Sequence, residues 1–264
     1  MTQRLQARFE ALQREGRKAL VCFVTAGDPD LETTAALLDA VAQAGADVIE
    51  LGVPFSDPVA DGPVIQRASQ RALAAGTTLG DVLGLARGFR ARSEVPLVLF
   101  GYCNPFLAFG WERLAQECAE CGVDGVLVVD LPPEEAGELR AALEPKELSQ
   151  ILLVSPVTRP ERVERICGLG SGFLYMVSMA GVTGSALQDL GPMAQTVGRV
   201  RASSGLPICV GFGISTPEDA ARVARYADGV VVGSALVATV EREGRGAVAR
   251  VAEQVSALRE ALER

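Results

Sequence analysis

Glu50, Asp57 and Asp61 fall within one segment, Asp47-Val48-Ile49-Glu50-Leu51-Gly52-Val53-Pro54-Phe55-Ser56-Asp57-Pro58-Val59-Ala60-Asp61-Gly62-Pro63, and are the side chains best placed to move protons. The sequence has no histidine, which removes the commonest general base and the commonest metal ligand. The lysines, Lys18 and Lys146, each stand just before an apolar run rather than after one, which argues against Schiff-base catalysis. Carboxylates, tyrosine and backbone dipoles are left to carry any reaction.

Side chains alternate between the two faces of a strand. If Ile49 and Leu51 pack outward against helices, Val48 and Glu50 point inward. A carboxylate there is desolvated, so its pKa rises toward neutrality, as a general acid/base requires. The plainer alternative is a structural glutamate satisfied by backbone donors, although a fully buried glutamate rarely lacks a task. Asp57-Pro58 and Asp61-Gly62 are ordinary turn dipeptides when read alone. Following a strand that ends in Glu50, they can supply a second carboxylate in a loop folding over the same place.

Further along, Gly211-Phe212-Gly213-Ile214-Ser215 and Gly233-Ser234 each follow an apolar run. Glycines at successive turns of this kind let backbone N–H groups approach a phosphate, and tight turning alone also accounts for them. Tyr175 sits inside an apolar run, where an aromatic is often plain core but needs a partner for its hydroxyl. Phe23, Phe100, Phe212 and Tyr102 lie at the ends of runs and either wall an aromatic-sized pocket or simply pack. Gly181-Val182-Thr183-Gly184 has the composition of a lid.

These residues need a scaffold, and the patterning supplies one. Eight short apolar runs recur: Leu20–Val24, Val48–Leu51, Leu97–Gly101, Gly125–Val129, Ile151–Val154, Phe173–Val177, Ile208–Gly211 and Gly229–Val232. Amphipathic stretches separate them, the pattern of a parallel sheet buried under helices. Eight such units in 264 residues predict a closed (β/α)8 TIM barrel, α/β in class, forming a single domain over 1–264. Met1–Glu15 reads as an extra N-terminal helix under the barrel and Ala247–Arg264 as the last outer helix. Thr158 and Ser215 read as helix caps with Glu three positions on, and Gly45 and Gly122 as helix stops. The long loops Gly52–Gly62 and Ser178–Gly191 follow strands, on the face where barrels keep their function.

Composition narrows the class further. The chain is 48% hydrophobic, enough for one core, and its net charge of −8 argues against binding a nucleic-acid backbone. No apolar run approaches the ~18 residues of a membrane span, and the N-terminus lacks a signal-peptide core, so a soluble cytoplasmic protein is expected. Cys22 and Cys209 read as buried small hydrophobes. Cys118 and Cys121 form a C-x-x-C on a helix from Trp111 to Cys121, without the second pair a metal site needs. No metal is expected.

Taken in order, these blocks resemble a known family. Glu50 through Pro63 is similar to the signature of tryptophan synthase α subunits. Thr25-Ala26-Gly27-Asp28-Pro29, Tyr102-Cys103-Asn104-Pro105, Asp130-Leu131-Pro132, Gly181-Val182-Thr183-Gly184 and Gly211-Phe212-Gly213-Ile214-Ser215 match in order, across nearly the whole chain. The resemblance implies a carbon–carbon lyase that cleaves indole-3-glycerol phosphate to indole and glyceraldehyde 3-phosphate. It implies Glu50, Asp61 and Tyr175 as catalytic residues, with Glu50 as the proton shuttle, Asp61 on the indole N–H and Tyr175 supporting Glu50. Gly184, Gly213, Gly233 and Ser234 would hold the phosphate, and Phe23, Phe100 and Phe212 the indole. The chain itself would carry no cofactor. Pyridoxal phosphate would belong to a partner β subunit in an α2β2 heterotetramer, contacted through Pro54–Pro58 and Tyr102–Phe106. Two positions depart from the common pattern: Met179, where a polar or basic residue is usual, and Cys22, where proline is common.

Two other readings compete. A sister phosphate-binding barrel of the indole-glycerol-phosphate synthase kind needs a lysine at a strand's C-terminal end, and none stands there. A weakly catalytic barrel that mainly activates a partner would not need Glu50, Asp61 and Tyr175 together.

Overall fold

The computed structural model describes residues 3–177, 190–211 and 213–263. Its strands are β1 (Ala19–Thr25), β2 (Val48–Gly52), β3 (Leu97–Gly101), β4 (Gly125–Val128), β5 (Ser149–Val154), β6 (Leu174–Val177), β7 (Ile208–Gly211) and β8 (Gly229–Val232). Each pairs in parallel with the next, and β1 pairs with β8 to close the barrel. All eight expected strands are present, with ends shifted by two residues or fewer. The widest shift is at β5, where pairing begins at polar Ser149 and Gln150, which an apolar-run reading leaves out.

Around the barrel lie α1 (Gln3–Glu15), α2 (Leu31–Gln43), α3 (Pro63–Ala74), α4 (Leu79–Arg90), α5 (Cys103–Phe109) and α6 (Trp111–Cys121). They are followed by α7 (Gly137–Leu143), α8 (Pro160–Leu169), α9 (Gly191–Ser203), α10 (Pro217–Ala224), α11 (Ser234–Glu243) and α12 (Ala247–Ala261).

Strand alternation divides the core in two. Outward residues such as Leu20, Ile49, Leu51, Leu97 and Leu99 pack beneath the helices. Inward residues Val21, Val48, Val98, Leu127, Ile151 and Val231 fill the barrel, and Leu5, Phe9 and Leu12 of α1 close its floor. The Phe9 and Phe173 ring centroids lie 5.6 Å apart across that floor. Among the described residues, no helix is long and apolar enough to cross a membrane.

Gly45 and Gly122 follow α2 and α6 with φ of 105° and 74°, a conformation that strains any residue carrying a Cβ. The helix caps differ from expectation by one residue. Thr216, rather than Ser215, accepts from the Asp219 N–H at the start of α10. Arg159 precedes α8 with no side-chain cap, because the Thr158 hydroxyl turns back to the Ser155 N–H instead. Prolines at the first turn of both helices fix the start without needing the predicted cap.

The floor is built around two fully buried acids. Asp47, just before β2, accepts from the Leu20 N–H of β1 at 2.7 Å, from Arg259 at 2.7 Å and from Arg8. Asp124, before β4, takes the Leu97 N–H of β3 at 2.9 Å, with Arg90 and Arg4. Asp228 repeats this between β8 and β7, and Ser171 plays the part between β6 and β5. A residue just before each even strand thus caps the backbone of the odd strand before it. Lys18 lies on the same face, its Nζ donating to the Ala227 carbonyl, and Lys146 is exposed in the turn before β5.

Candidate active site

The opposite end of the barrel gathers the other acids. Glu50 points inward from β2, with Phe23 and Val98 as its register neighbours. It is 0% exposed, and among the described residues neither carboxylate oxygen has a hydrogen-bond partner. Desolvation without compensating donors disfavours the charged form, and the pKa rises to about 8. Near neutral pH this carboxyl holds its proton yet can release it, which suits a group that must first donate and then accept.

Asp61 is half-buried in the loop after β2. Burial raises its pKa to about 6, against the opposing pull of a hydrogen bond from Tyr102. The Tyr102 hydroxyl donates to Asp61 Oδ2 at 3.0 Å and accepts from the Ala60 N–H at 3.1 Å. Gln66 of α3 steadies the same turn, its amide donating to the Asp61 carbonyl at 2.9 Å. Asp57, by contrast, is exposed, so only one of the two loop acids joins the site.

Tyr175 faces inward from β6 and, like Phe100, Val129 and Leu153, packs against the inner core. Its pKa is raised well above the usual phenol value by burial first, then by the charges of Glu50 and Asp61. No hydrogen bond joins it to Glu50. A Cβ on Gly211 would lie 2.2 Å from the Tyr175 hydroxyl, so the glycine leaves the space that the phenol occupies. Gly52 does the same for Phe23, whose ring tip a Cβ would meet at 2.4 Å. Phe23 and Phe100 meet edge to face at 5.2 Å, forming an apolar wall with Val64, Ile65 and Ala68 of α3.

Beside Phe23, past the end of β8, Gly233 caps α11 and Ser234 opens it, so the first N–H groups of that helix lack intrahelical acceptors. Gly213 holds φ of 61° just past β7, a conformation suited to glycine. Helix-start N–H groups and a glycine turn at adjacent strand ends are the kind of backbone that can receive an anion. Gly184, Phe212, Met179 and the predicted lid Gly181–Gly184 lie outside the described residues.

From the sequence, Tyr102 reads as a pocket wall, whereas its hydroxyl grips the Asp61 loop. The signal is present all the same: Val98, Phe100 and Tyr102 share one strand parity, so Tyr102 continues the inward row past the end of β3. Gln66 carries no such signal, because its role depends on how the loop folds back onto α3. Cys22 and Cys209 are buried as expected, and Cys118 and Cys121 are buried in α6.

A barrel with this acid-lined mouth has counterparts among known proteins. Residues 9–263 match the family described as tryptophan synthase alpha chain. The chain is 51% identical over 260 residues to the tryptophan synthase alpha chain of Geobacter sulfurreducens, covering 98% of each. It is also 51% identical to that of Phenylobacterium zucineum, over 98% of this chain and 95% of the relative. Among solved structures, the tryptophan synthase subunit alpha of Legionella pneumophila superposes with a TM-score of 0.93 at 40% identity, covering 100% of this chain and 99% of that one. The chain belongs to the tryptophan synthase alpha chain family, TIM-barrel lyases that perform the α reaction of tryptophan biosynthesis.

Proposed function

We propose that Glu50, Asp61 and Tyr175 carry the α reaction, the retro-aldol cleavage of indole-3-glycerol phosphate. Protonated Glu50 donates to the ring carbon bearing the glycerol phosphate, which leaves a cationic ring stabilised by the Asp61 carboxylate at the indole nitrogen. Glu50, now charged, takes the proton from the neighbouring side-chain hydroxyl. The C–C bonding pair returns to the ring, the hydroxyl carbon becomes the aldehyde of glyceraldehyde 3-phosphate, and Glu50 ends the cycle protonated. Tyr175 fills the space beside Glu50 and helps keep water from it. Phe23, Phe100 and Phe212 bound the indole, while Gly184, Gly213, Gly233 and Ser234 cradle the phosphate.

The observation that carries this reading is a buried glutamate whose two oxygens have no partner among the described residues and whose pKa is about 8. Replacing Glu50→Gln lowers indole release by at least ~10²-fold, the scale of a lost general acid/base. Near-wild-type turnover in a folded Glu50→Gln chain contradicts the assignment.

The whole chain acts as one barrel domain, needs no cofactor of its own and works in the cytoplasm. Its partner is a β subunit holding pyridoxal phosphate, in an α2β2 assembly. Exposed apolar side chains beside the mouth support such docking: Val59 is 82% exposed and Leu107 52%. They lie next to Pro54–Pro58 and Tyr102–Phe106, the segments that would make the contact.

A further inference from the structure

We propose that Tyr102 is a positioning residue for the lyase reaction, its hydroxyl aiming Asp61 at the substrate nitrogen and keeping that carboxylate charged. The inference rests on the reading of Asp61 as the group that holds the indole N–H. Tyr102 stands just past β3, one inward position beyond Phe100, and is only 2% exposed. The Phe55 ring packs on it at 5.3 Å, which fixes the phenol independently of its hydroxyl.

The hydroxyl makes two bonds with opposite roles. It accepts from the Ala60 N–H, which orients its own proton, and donates that proton to Asp61 Oδ2. Asp61 Oδ1 is left without a partner among the described residues and so remains available to a donor from the substrate. A carboxylate held by one oxygen presents the other in a fixed direction, and a donor to the charged form resists the protonation that burial favours.

The titratable groups around this pair are few. Tyr175 from β6 and Glu50 from β2 share the mouth with Asp61, and Asp130 from the following loop acts on Tyr102. None of them donates a hydrogen bond to the Asp61 carboxylate, so the acid limb of the rate profile reports chiefly on the Tyr102 bond.

The test follows indole release from indole-3-glycerol phosphate by the full chain between pH 5 and 9. Tyr102→Phe keeps the ring and its packing and removes only the hydroxyl. The acid limb of kcat/KM moves upward by about one pH unit, the scale of a lost charge-assisted bond. Affinity for glycerol 3-phosphate stays unchanged, because the turns proposed for the phosphate at Gly213 and Gly233 follow β7 and β8 rather than β3. Incorporating 3-fluorotyrosine at position 102 makes a stronger donor and moves the limb the other way. A purely structural tyrosine gives neither the limb shift nor its reversal. An unmoved acid limb in both variants, while Asp61→Asn still abolishes turnover, overturns the role of Tyr102 and leaves that of Asp61 standing. Near-wild-type turnover in Asp61→Asn overturns the reading beneath both.

Discussion

Asp47 and Glu50 lie three residues apart, one just before β2 and the other at its middle, both 0% exposed, and the protein treats them in opposite ways. Asp47 faces the floor, where two arginines and a backbone N–H saturate it. Glu50 faces the mouth, where no donor among the described residues reaches either oxygen. A saturated buried carboxylate locks strands together, whereas an unsatisfied one is a proton store with a raised pKa. The floor thus supplies rigidity, and the mouth holds a carboxyl under electrostatic tension, which the proposed reaction would use.

The contrast is tested most severely from the floor. Asp47→Ala leaves Arg259, itself only 7% exposed, without its buried partner and lowers stability by ~3–5 kcal/mol. Denaturant unfolding measures this loss, while turnover per folded molecule stays within a few-fold of wild type. A selective loss of turnover with unchanged stability would erase the distinction between the two ends.

A smaller effect comes from the mouth. The Glu50 pKa is about 8 when folded, above the ordinary value it takes in the unfolded chain. The folded state therefore binds the extra proton between those values. Stability is fully present below the unfolded pKa and declines as pH rises through the folded one. Wild type loses roughly 2–4 kcal/mol on this account between pH 5 and 9. Glu50→Gln loses less over the same range, so the difference between the two chains widens with pH. Parallel stability curves would show that burial does not strain Glu50.

The barrel was legible because parallel strands buried on both faces announce themselves as apolar runs, and Gly45 and Gly122 mark helix ends wherever a chain needs positive φ. Glu50 was legible for the same reason, since a charged residue of inward parity inside such a run is too costly to bury for packing alone. Caps were less so. Thr158 and Ser215 fit the cap pattern, but proline at the helix start leaves the choice of cap to loop geometry. Asp57 and Asp61 were indistinguishable in type and setting, and only the fold of their loop exposes one and half-buries the other. Strand parity turns Tyr102 inward, but its grip on Asp61 joins residues 41 positions apart, a meeting that parity alone does not specify.

The titration of Glu50 itself tests the central claim most directly. Infrared difference spectra of wild type against Glu50→Gln, followed from pH 4 to 10, isolate the carbonyl stretch of this one carboxyl. The protonated band should persist through neutrality and disappear with a midpoint near 8. A band already lost in the ordinary carboxylate range near ~4 would mean a solvated, charged Glu50, and the acid that opens the proposed mechanism would not exist.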